Sequence, residues 1–462
     1  MTILKNNIFK SSVKVLLVFT SILSISVFLM RVFFSLDNTV LTSGCEEESL
    51  YAIWKYVHSF DIYLPNNKFP YTSSYFNINF YLFYGEICEL CIHYLSLNDS
   101  YIPIITRLTS VIFTLGIFII TYKLFRRRTS QVNSLLIASI FVFNPYIGFW
   151  SLTCRPDIAA TFFSILALYQ FKSDNKINFK VILFLAVAWS FKQSFIFTAF
   201  FIFFHDGVKN VKISRAIIFA ILIALIITTS YYLYGNNYFY SVFLGQENQG
   251  LDLILGIHNL SLFVFKGGPI ILLFVILKSW KNKSLLLLLI FALTSIITSK
   301  DGASDNYFFE FYVIMISIIS IKIKENLEFL EFYLIPQIFV LLILMSGIKG
   351  KLIPDKFIQN DLLVSLQENK EMSVVLNQSA ANLPWIIHGP IENIYHVKSF
   401  TYDIDILKHP FEFGGIFGSL NKSIYTKIYV HKSDKAELIK IPKDYIMTKE
   451  ISHYYILKKP YQ

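Results

Sequence analysis

The sequence predicts an all-α polytopic membrane protein that ends in a small α/β domain. Of its 462 residues, 55% are hydrophobic and only 16% are charged. Apolar runs of about 17–25 residues, the length that spans the hydrocarbon of a bilayer, recur over the first ~350 positions. From residue 353 onward, shorter apolar stretches alternate with polar residues, which is typical of strands. We therefore expect a multi-pass transmembrane domain over 1–352 and an extracytoplasmic domain over 353–462.

The positive charge of the chain lies mostly in the short gaps between its apolar runs. The formal net charge is +10, and the positive-inside rule explains it if these gaps face the cytoplasm. A nucleic-acid-binding protein would instead carry its lysines and arginines along one face of a soluble domain, so we expect no nucleic-acid partner. The basic gaps are the N-terminus, 123–128, 172–180, 209–215, 278–283 and 322–324.

The segment 75–97 decides how the chain threads the membrane. It has the length of a span, but Glu86 and Glu89 lie near one helical face, and two uncompensated glutamates are costly in hydrocarbon. We therefore predict an amphipathic helix in the outer interface. About eleven spans then remain, every basic gap faces the cytoplasm, and the C-terminus is outside. The predicted spans are 13–30, 103–124, 131–150, 156–171, 177–191, 194–205, 214–234, 263–279, 284–299, 307–323 and 330–348.

Ionisable residues are concentrated in the gaps between spans that this topology places on the outer side of the membrane. A run of glutamates, 46–48, follows the first apolar run, Arg155 and Asp157 precede an apolar helix, and Lys192 interrupts another. Charged groups at such positions are expensive unless they are used or paired. Two structural readings stay open: the glutamates suit a helix start, where they favour the helix dipole, and Arg155 suits an ion pair with Glu46 or Asp157.

One chemistry that needs this set of residues is glycosyl transfer from a lipid-linked donor. The acceptor hydroxyl needs a carboxylate base, and the phosphate leaving group needs cations or a metal. The lipid tail needs a groove between apolar helices. A transporter or flippase of lipid-linked glycans is the alternative, but it would carry charges or broken helices near mid-membrane. A non-enzymatic assembly factor would leave the outer acids unexplained.

Four short motifs in one order carry a resemblance to a known family. They are EEESLYAIWKYVHSFDIY after the first span, RPD before an apolar helix, SFKQSF at a short broken pair of helices, and DNYFFEF late in the chain. In these motifs the chain resembles the GT-C superfamily of integral-membrane glycosyltransferases. The similar branch uses polyprenyl- or dolichyl-phosphate sugars and includes protein mannosyltransferases and aminoarabinose transferases. The resemblance implies an interfacial helix after the first-loop acids and an external C-terminal domain.

The resemblance also implies roles for the acids. The catalytic base of the family falls on Glu46 or Glu47, and counting back from Tyr51-Ala52 favours Glu46. An Asp-Glu pair usual there reads Cys45-Glu46 in this chain, and this departure leaves the choice between Glu46 and Glu47 open. Asp157 matches a second acidic position near the active site, which is sometimes a metal ligand. Catalytic residues are therefore expected among Glu46, Glu47 and Asp157, and a divalent metal, if one is used, on Glu46 and Asp157. No cofactor beyond that metal is expected.

The remaining positions concern the donor and the late motif. Arg155 and Lys192 match cations near the donor phosphate, and Asn306 and Glu310 match a motif to which no role is assigned. The usual Pro-Pro before the interfacial helix is replaced by FPYTSSYFNINF. The implied function is transfer of a sugar, with inversion, from a polyprenyl-phosphate donor to a glycan, lipid or protein acceptor. The lysine-, isoleucine- and asparagine-rich composition suggests a bacterial inner membrane, with the active site outside.

Overall fold

The computed structural model divides into two compact units. The helical unit contains Met1–Phe34, Leu108–Thr229 and Gln249–Ile353, and the mixed unit contains Ser35–Arg107, Ser230–Asn248 and Pro354–Gln462. The sequence predicted a single division at 352/353, and the assignment of function to either part stays a prediction. The structure describes residues 2–37, 40, 42, 46–64, 68–69, 74–205, 213–244, 250–277, 284–300, 302–323, 330–345, 360–369, 371–376, 385–388, 396–397 and 411–460.

Helices make up most of the described chain. In chain order they are α1 (Thr2–Ser35), α2 (Glu46–Val57), α3 (Ile78–Leu95), α4 (Ile102–Arg126), α5 (Gln131–Val142), α6 (Pro145–Trp150), α7 (Asp157–Asp174), α8 (Phe179–Phe191), α9 (Phe197–Phe203), α10 (Ile213–Phe239), α11 (Leu253–Ile276), α12 (Ser284–Ile297), α13 (Phe309–Lys322), α14 (Glu331–Met345), α15 (Asn360–Gln367) and α16 (Gly415–Asn421).

Within the described residues, four helical segments are long and apolar enough to cross a membrane. They are Ser12–Ser35, Asp99–Arg126, Ile213–Leu244 and Leu253–Ile276. Shorter apolar helices are Gln131–Val142, Phe179–Phe191, Leu285–Ile297 and Glu331–Met345. The predicted number of about eleven spans stays a prediction. Helix α3, which fills the predicted interfacial segment 75–97, belongs to neither group.

Two interruptions in the helical unit follow from local sequence. Helix α7 begins at Asp157, directly after Pro156, which cannot continue a preceding helix. Helix α8 ends at Phe191, and Lys192 is extended, with φ −141° and ψ 117°. Helix α9 then starts afresh at Phe197. The broken pair predicted around residues 189–194 therefore exists, and it sets Lys192 in a turn.

The mixed unit joins the first loop to a sheet from the C-terminal part of the chain. Helices α2 and α3 pack together, and the buried Tyr63 ring contacts the rings of Tyr81, Tyr234 and Tyr238. The Tyr238 hydroxyl donates to Asn77 Oδ1 at 2.9 Å. Because Tyr63, Tyr81 and Tyr238 are buried, these contacting rings form part of the core of the mixed unit.

The sheet has six described strands in the order β3-β2-β1-β4-β6-β5. Strands β1 and β4 are parallel and the other neighbours are antiparallel, so the predicted α/β character of 353–462 is present as a small mixed sheet. Phe69 of the first loop packs on its core, and the Phe69 amide donates to Glu412 Oε2 at 2.9 Å. The strands are β1 (Ser373–Leu376), β2 (Trp385–His388), β3 (His396–Val397), β4 (Lys427–His431), β5 (Ile446–Glu450) and β6 (Tyr454–Lys458).

Candidate functional site

A buried carboxylate in the helical unit gathers three side chains from separate parts of the sequence. Lys192 Nζ lies 2.5 Å from Asp157 Oδ1, and Asn306 Nδ2 donates to the same oxygen at 2.7 Å. Arg155 Nε donates to Asp157 Oδ2 at 3.3 Å. Two cations thus share one anion, and the three ionised groups carry a formal net charge of +1. We call these four residues the Asp157 cluster.

Aromatic rings cover the two cations of the Asp157 cluster. Lys192 Nζ lies 4.3 Å from the centroid of the Tyr307 ring, and Arg155 Cζ lies 5.1 Å from that of Trp150. A ring face attracts a cation without neutralising its charge. The rings therefore help to hold Lys192 and Arg155 in place while leaving their charge able to attract an anion.

The late motif DNYFFEF supplies contacts to the Asp157 cluster and to the turn that carries Lys192. Asn306 lies in a 3-10 helix, Asp305–Phe308, and bonds Asp157. Glu310, in the first turn of α13, accepts the backbone N–H groups of Phe197 and Thr198 at 3.0 and 2.8 Å. A carboxylate at the N-terminus of a helix satisfies its unpaired N–H groups and favours its dipole. Glu310 therefore fixes the start of α9.

A second ion pair near the same motif involves a lysine inside an apolar helix. Lys266 Nζ of α11 lies 3.0 Å from Asp305 Oδ2, and the Tyr146 hydroxyl donates to the Asp305 carbonyl at 2.9 Å. These contacts fix Asp305, the residue directly before Asn306. They therefore hold the backbone beside Asn306 in the position from which Asn306 bonds Asp157.

In the mixed unit, Glu46 is bound by an arginine that the sequence reasoning did not single out. Arg107 of α4 donates to Glu46 Oε1 through Nε and to Glu46 Oε2 through Nη2, both at 2.9 Å. Its other N–H groups donate to the carbonyls of Ser35 and Asp37 at 2.9 Å and of Val40 at 2.6 Å. All five N–H donors of the guanidinium are used. Arg107 therefore ties the end of α1 to the start of α2.

The other acids of the first loop lie in the first turn of α2. Glu47 is 8% exposed and follows Glu46 directly. Glu46 Oε2 also accepts the Thr42 amide at 2.8 Å, so both of its oxygens are hydrogen-bonded. Glu46 thus behaves as an anchor of the loop. Cys45, the other residue of the expected acidic pair, is outside the described residues.

The geometry of the two predicted metal ligands does not fit a divalent cation. Both oxygens of Asp157 accept bonds from side-chain donors, two of them cationic, and both oxygens of Glu46 accept bonds from Arg107. Metal ions prefer carboxylate oxygens that positive groups do not already engage. Across the described ranges, no group of three or more His, Cys, Asp or Glu side chains has an arrangement that could hold a metal. The contacts of Asp157 and Glu46 therefore do not favour a metal at these carboxylates, and the metal that the resemblance implied stays a prediction.

The sequence predicted Arg155, Asp157, Lys192 and Asn306 as site residues, and all four lie together in the structure. Arg107 and Lys266 were not predicted, although each is a charged residue inside an apolar helix, which is by itself a functional signal. The aromatic partners of the cations had no sequence signal beyond their place beside a charged motif.

An apolar cavity in the helical unit provides space for a chain-like ligand. Its volume is 380 Å³, and only apolar side chains line it, on α11, α12 and α13. Phe291 and Phe311, two of the lining residues, also contact each other. The lining residues are Ile271, Phe274, Val275, Leu287, Leu288, Phe291, Phe311 and Met315.

Comparison with known proteins gives one result about the fold. No family model matches the chain, and no curated protein matches its sequence. The crystal structure of ArnT from Cupriavidus metallidurans bound to undecaprenyl phosphate is similar, with a TM-score of 0.58 and 10% sequence identity. The similarity covers 95% of this chain and 97% of that one. The chain has an ArnT-like fold. Together with its apolar helices, this fold supports an integral membrane protein. At 10% identity, the similarity shows the fold alone.

The five hydrogen bonds of Arg107, which we call the Arg107 clamp, predict that lysine cannot replace this arginine. Arg107→Lys keeps the charge but loses the two-pronged bond to Glu46 and leaves buried carbonyls without donors. We expect the free energy of unfolding to fall by about 2–4 kcal/mol, since charged hydrogen bonds contribute about 1.5–3 kcal/mol each. Thermal unfolding in detergent measures it. The exposed Arg128→Lys is the control, and equal loss in both variants would contradict the clamp.

Lys55 in α2 predicts a pH-dependent stability. Its Nζ donates to the Ile62 carbonyl at 2.6 Å, and burial lowers the pKa of Lys55 to about 7, against the opposing pull of the Asp61 and Glu48 carboxylates. Between this pKa and 10.5, the folded chain binds fewer protons at Lys55 than the unfolded chain does. The contribution of Lys55 to the free energy of unfolding therefore increases as the pH rises from about 7 to 10.5.

The variant Lys55→Met removes this contribution. We expect its unfolding midpoint to rise less than that of the wild type when detergent samples are compared at pH 7, 8 and 9. The exposed Lys68→Met is the matched control and should keep the wild-type dependence. Identical pH profiles for wild type and Lys55→Met would show that Lys55 keeps its proton in the folded chain.

Proposed function

We propose that the protein is a GT-C-type membrane glycosyltransferase. It transfers a sugar, with inversion, from a polyprenyl-phosphate donor to a glycan, lipid or protein acceptor. The observation that carries this proposal is the Asp157 cluster, in which one buried carboxylate holds two cations. The ArnT-like fold supports it, because the ArnT structure was solved with undecaprenyl phosphate bound.

In this proposal Lys192 and Arg155 bind the donor phosphate. As the sugar leaves, negative charge grows on the polyprenyl phosphate, and preorganised cations stabilise that charge in a site with little water. Asp157 does not react; it positions both cations, and Asn306 orients Asp157. Asn306 Oδ1 is buried and accepts no hydrogen bond from the described residues, so it is available to a hydroxyl of the bound donor.

The apolar cavity among α11, α12 and α13 is the proposed place of the polyprenyl tail. Phe311 and Met315 of α13 line it, and α13 follows directly on the segment that holds Asn306 and Tyr307. At 1.5 Å per residue, about 8–14 Å of helix separate Asn306 from these lining positions. One short segment would thus contact both the phosphate and the first part of the tail.

The proposed base is a first-loop glutamate, which accepts the proton of the acceptor hydroxyl as the hydroxyl attacks the anomeric carbon. The resemblance leaves Glu46 and Glu47 open. Because Arg107 engages both oxygens of Glu46, we favour Glu47 as the base and Glu46 as the residue that positions it. Attack from the face opposite the departing phosphate inverts the anomeric configuration.

The proposed location is the bacterial inner membrane, with the reaction and the C-terminus on the extracytoplasmic face. This location is supported by the distribution of lysines and arginines, which are concentrated in gaps that the positive-inside rule places in the cytoplasm. The described part of this pattern includes Arg126 at the end of α4, Arg127 and Arg128 directly after it, and Lys172 near the end of α7. Other basic gaps, at 209–212, 278–283 and 324, are outside the described residues.

A transfer assay tests this function. Purified protein in detergent is given radiolabelled polyprenyl-phosphate sugars and a membrane extract that supplies acceptors. We expect label in a product with the wild type, none above background with Glu47→Gln, and a lower kcat/KM for the donor with Lys192→Ala. The reasons are that Glu47→Gln cannot accept a proton, whereas Lys192→Ala loses one of the two phosphate-binding cations.

Matched controls separate chemistry from folding. Glu89→Gln and Lys176→Ala change exposed residues of the same types and should transfer like the wild type. If Glu46→Gln and Glu47→Gln both kept full turnover, the base assignment would be wrong. If no donor were used but lipid-linked sugar crossed liposome membranes, the protein would be a transporter.

A further inference from the structure

A short stretch of the mixed unit exposes apolar and basic side chains side by side. It runs over 439–449, from the end of a 3-10 helix, Lys432–Lys440, into β5. Ile439 is 88% exposed, and Ile446 and Met447 are also exposed. We call this stretch the Ile439 ridge. Three exposed apolar side chains within nine residues need a reason, because nothing in the proposed sugar transfer uses them.

The local fold forces these side chains outward. Leu438 packs against the core of the sheet, and Ile441 and Tyr445 are buried in it. In a 3-10 helix, residues three apart lie on the same side of the helix. Ile439 therefore lies on the same side as the exposed Ala436, and Leu438 lies on a different side. The exposure of Ile439 therefore results from the way the segment is held on the sheet.

Basic side chains outnumber acidic ones in the Ile439 ridge. Lys440, Lys443 and Lys449 are exposed within it. Its single acid, Asp444, lies 2.5 Å from Lys459, which balances its charge. An apolar tip among lysines is the pattern by which proteins bind the surface of an anionic bilayer, where the apolar group enters the headgroup region and the lysines attract lipid phosphates.

The covalent structure keeps this surface close to a membrane. The last apolar helix, α14, ends at Met345, and α15 begins at Asn360. The fourteen residues 346–359 between them reach at most about 50 Å when fully extended. A bilayer that holds α14 is therefore present at a high effective concentration for the C-terminal segment.

We propose that the Ile439 ridge is a membrane-docking surface that binds anionic phospholipids. Ile439 enters the headgroup region, and Lys440, Lys443 and Lys449 contact lipid phosphates. The ridge thereby attaches the C-terminal sheet to the bilayer at a point other than α14. This surface is independent of sugar transfer, and the interaction holds whether or not the protein is an enzyme.

The experiment uses the full chain in nanodiscs and reads lipid contact directly. A fluorescent amino acid replaces Ile439, and lipids with a nitroxide on the acyl chain near the headgroup act as quenchers. The same amino acid in place of Val364, an exposed apolar residue of α15, is the matched control. We expect severalfold stronger quenching at 439 than at 364 when the nanodisc contains phosphatidylglycerol.

The role of charge is tested in the same format. Phosphatidylcholine alone, or Lys440→Gln with Lys443→Gln and Lys449→Gln, should reduce the quenching at 439 towards that at 364. Size-exclusion profiles and unfolding midpoints like those of the wild type check that each variant is folded. Equal quenching at both positions, or quenching that ignores the lipid charge and the lysines, would overturn the proposal. Burial of the fluorophore without quenching would assign the ridge to a protein partner and also overturn it.

Discussion

The bond network of Asp157 is the constraint on which the candidate site depends. Lys192 and Arg155 are two buried cations that repel each other, and Asp157 lies between them with one oxygen towards each. Burying such charges is costly unless each is paired and hydrogen-bonded. One carboxylate for two cations leaves the group positively charged, and this is the property that a site for a phosphate requires. Asn306 helps to hold the carboxylate in place, because its Nδ2 donates a hydrogen bond to Asp157 Oδ1.

Three irregular features of the helical unit serve this arrangement. Asp157 lies at the start of α7, Lys192 in the turn between α8 and α9, and Asn306 in the 3-10 helix before α13. Helix ends bring polar side chains and backbone groups together where regular helices would offer only apolar faces. Glu310 then caps α9 and so keeps the Lys192 turn at a fixed position.

Much of this arrangement could be predicted from the sequence, because charges that interrupt apolar segments are easy to find. Arg155, Asp157 and Lys192 were predicted in this way, and the alternative ion pair of Arg155 with Asp157 exists. Asn306 was predicted from the late motif of the family resemblance instead. The partner of Glu46 could not be predicted, since the pairing with Arg107 joins residues 61 positions apart and depends on how the first loop folds. The burial of Lys55 depends in the same way on tertiary packing. The apolar pattern predicts a membrane protein and a C-terminal sheet. It does not predict the number of short spans, because packing sets where those spans end.

A structure of the protein with a bound polyprenyl phosphate tests the central claim most directly. We expect the phosphate within hydrogen-bond distance of Lys192 Nζ or the Arg155 guanidinium, with Asp157 still bonded to Asn306 and the first isoprene units next to Phe311 and Met315. A phosphate bound away from both cations, with the Asp157 cluster unchanged, would contradict the assignment of this cluster to the donor.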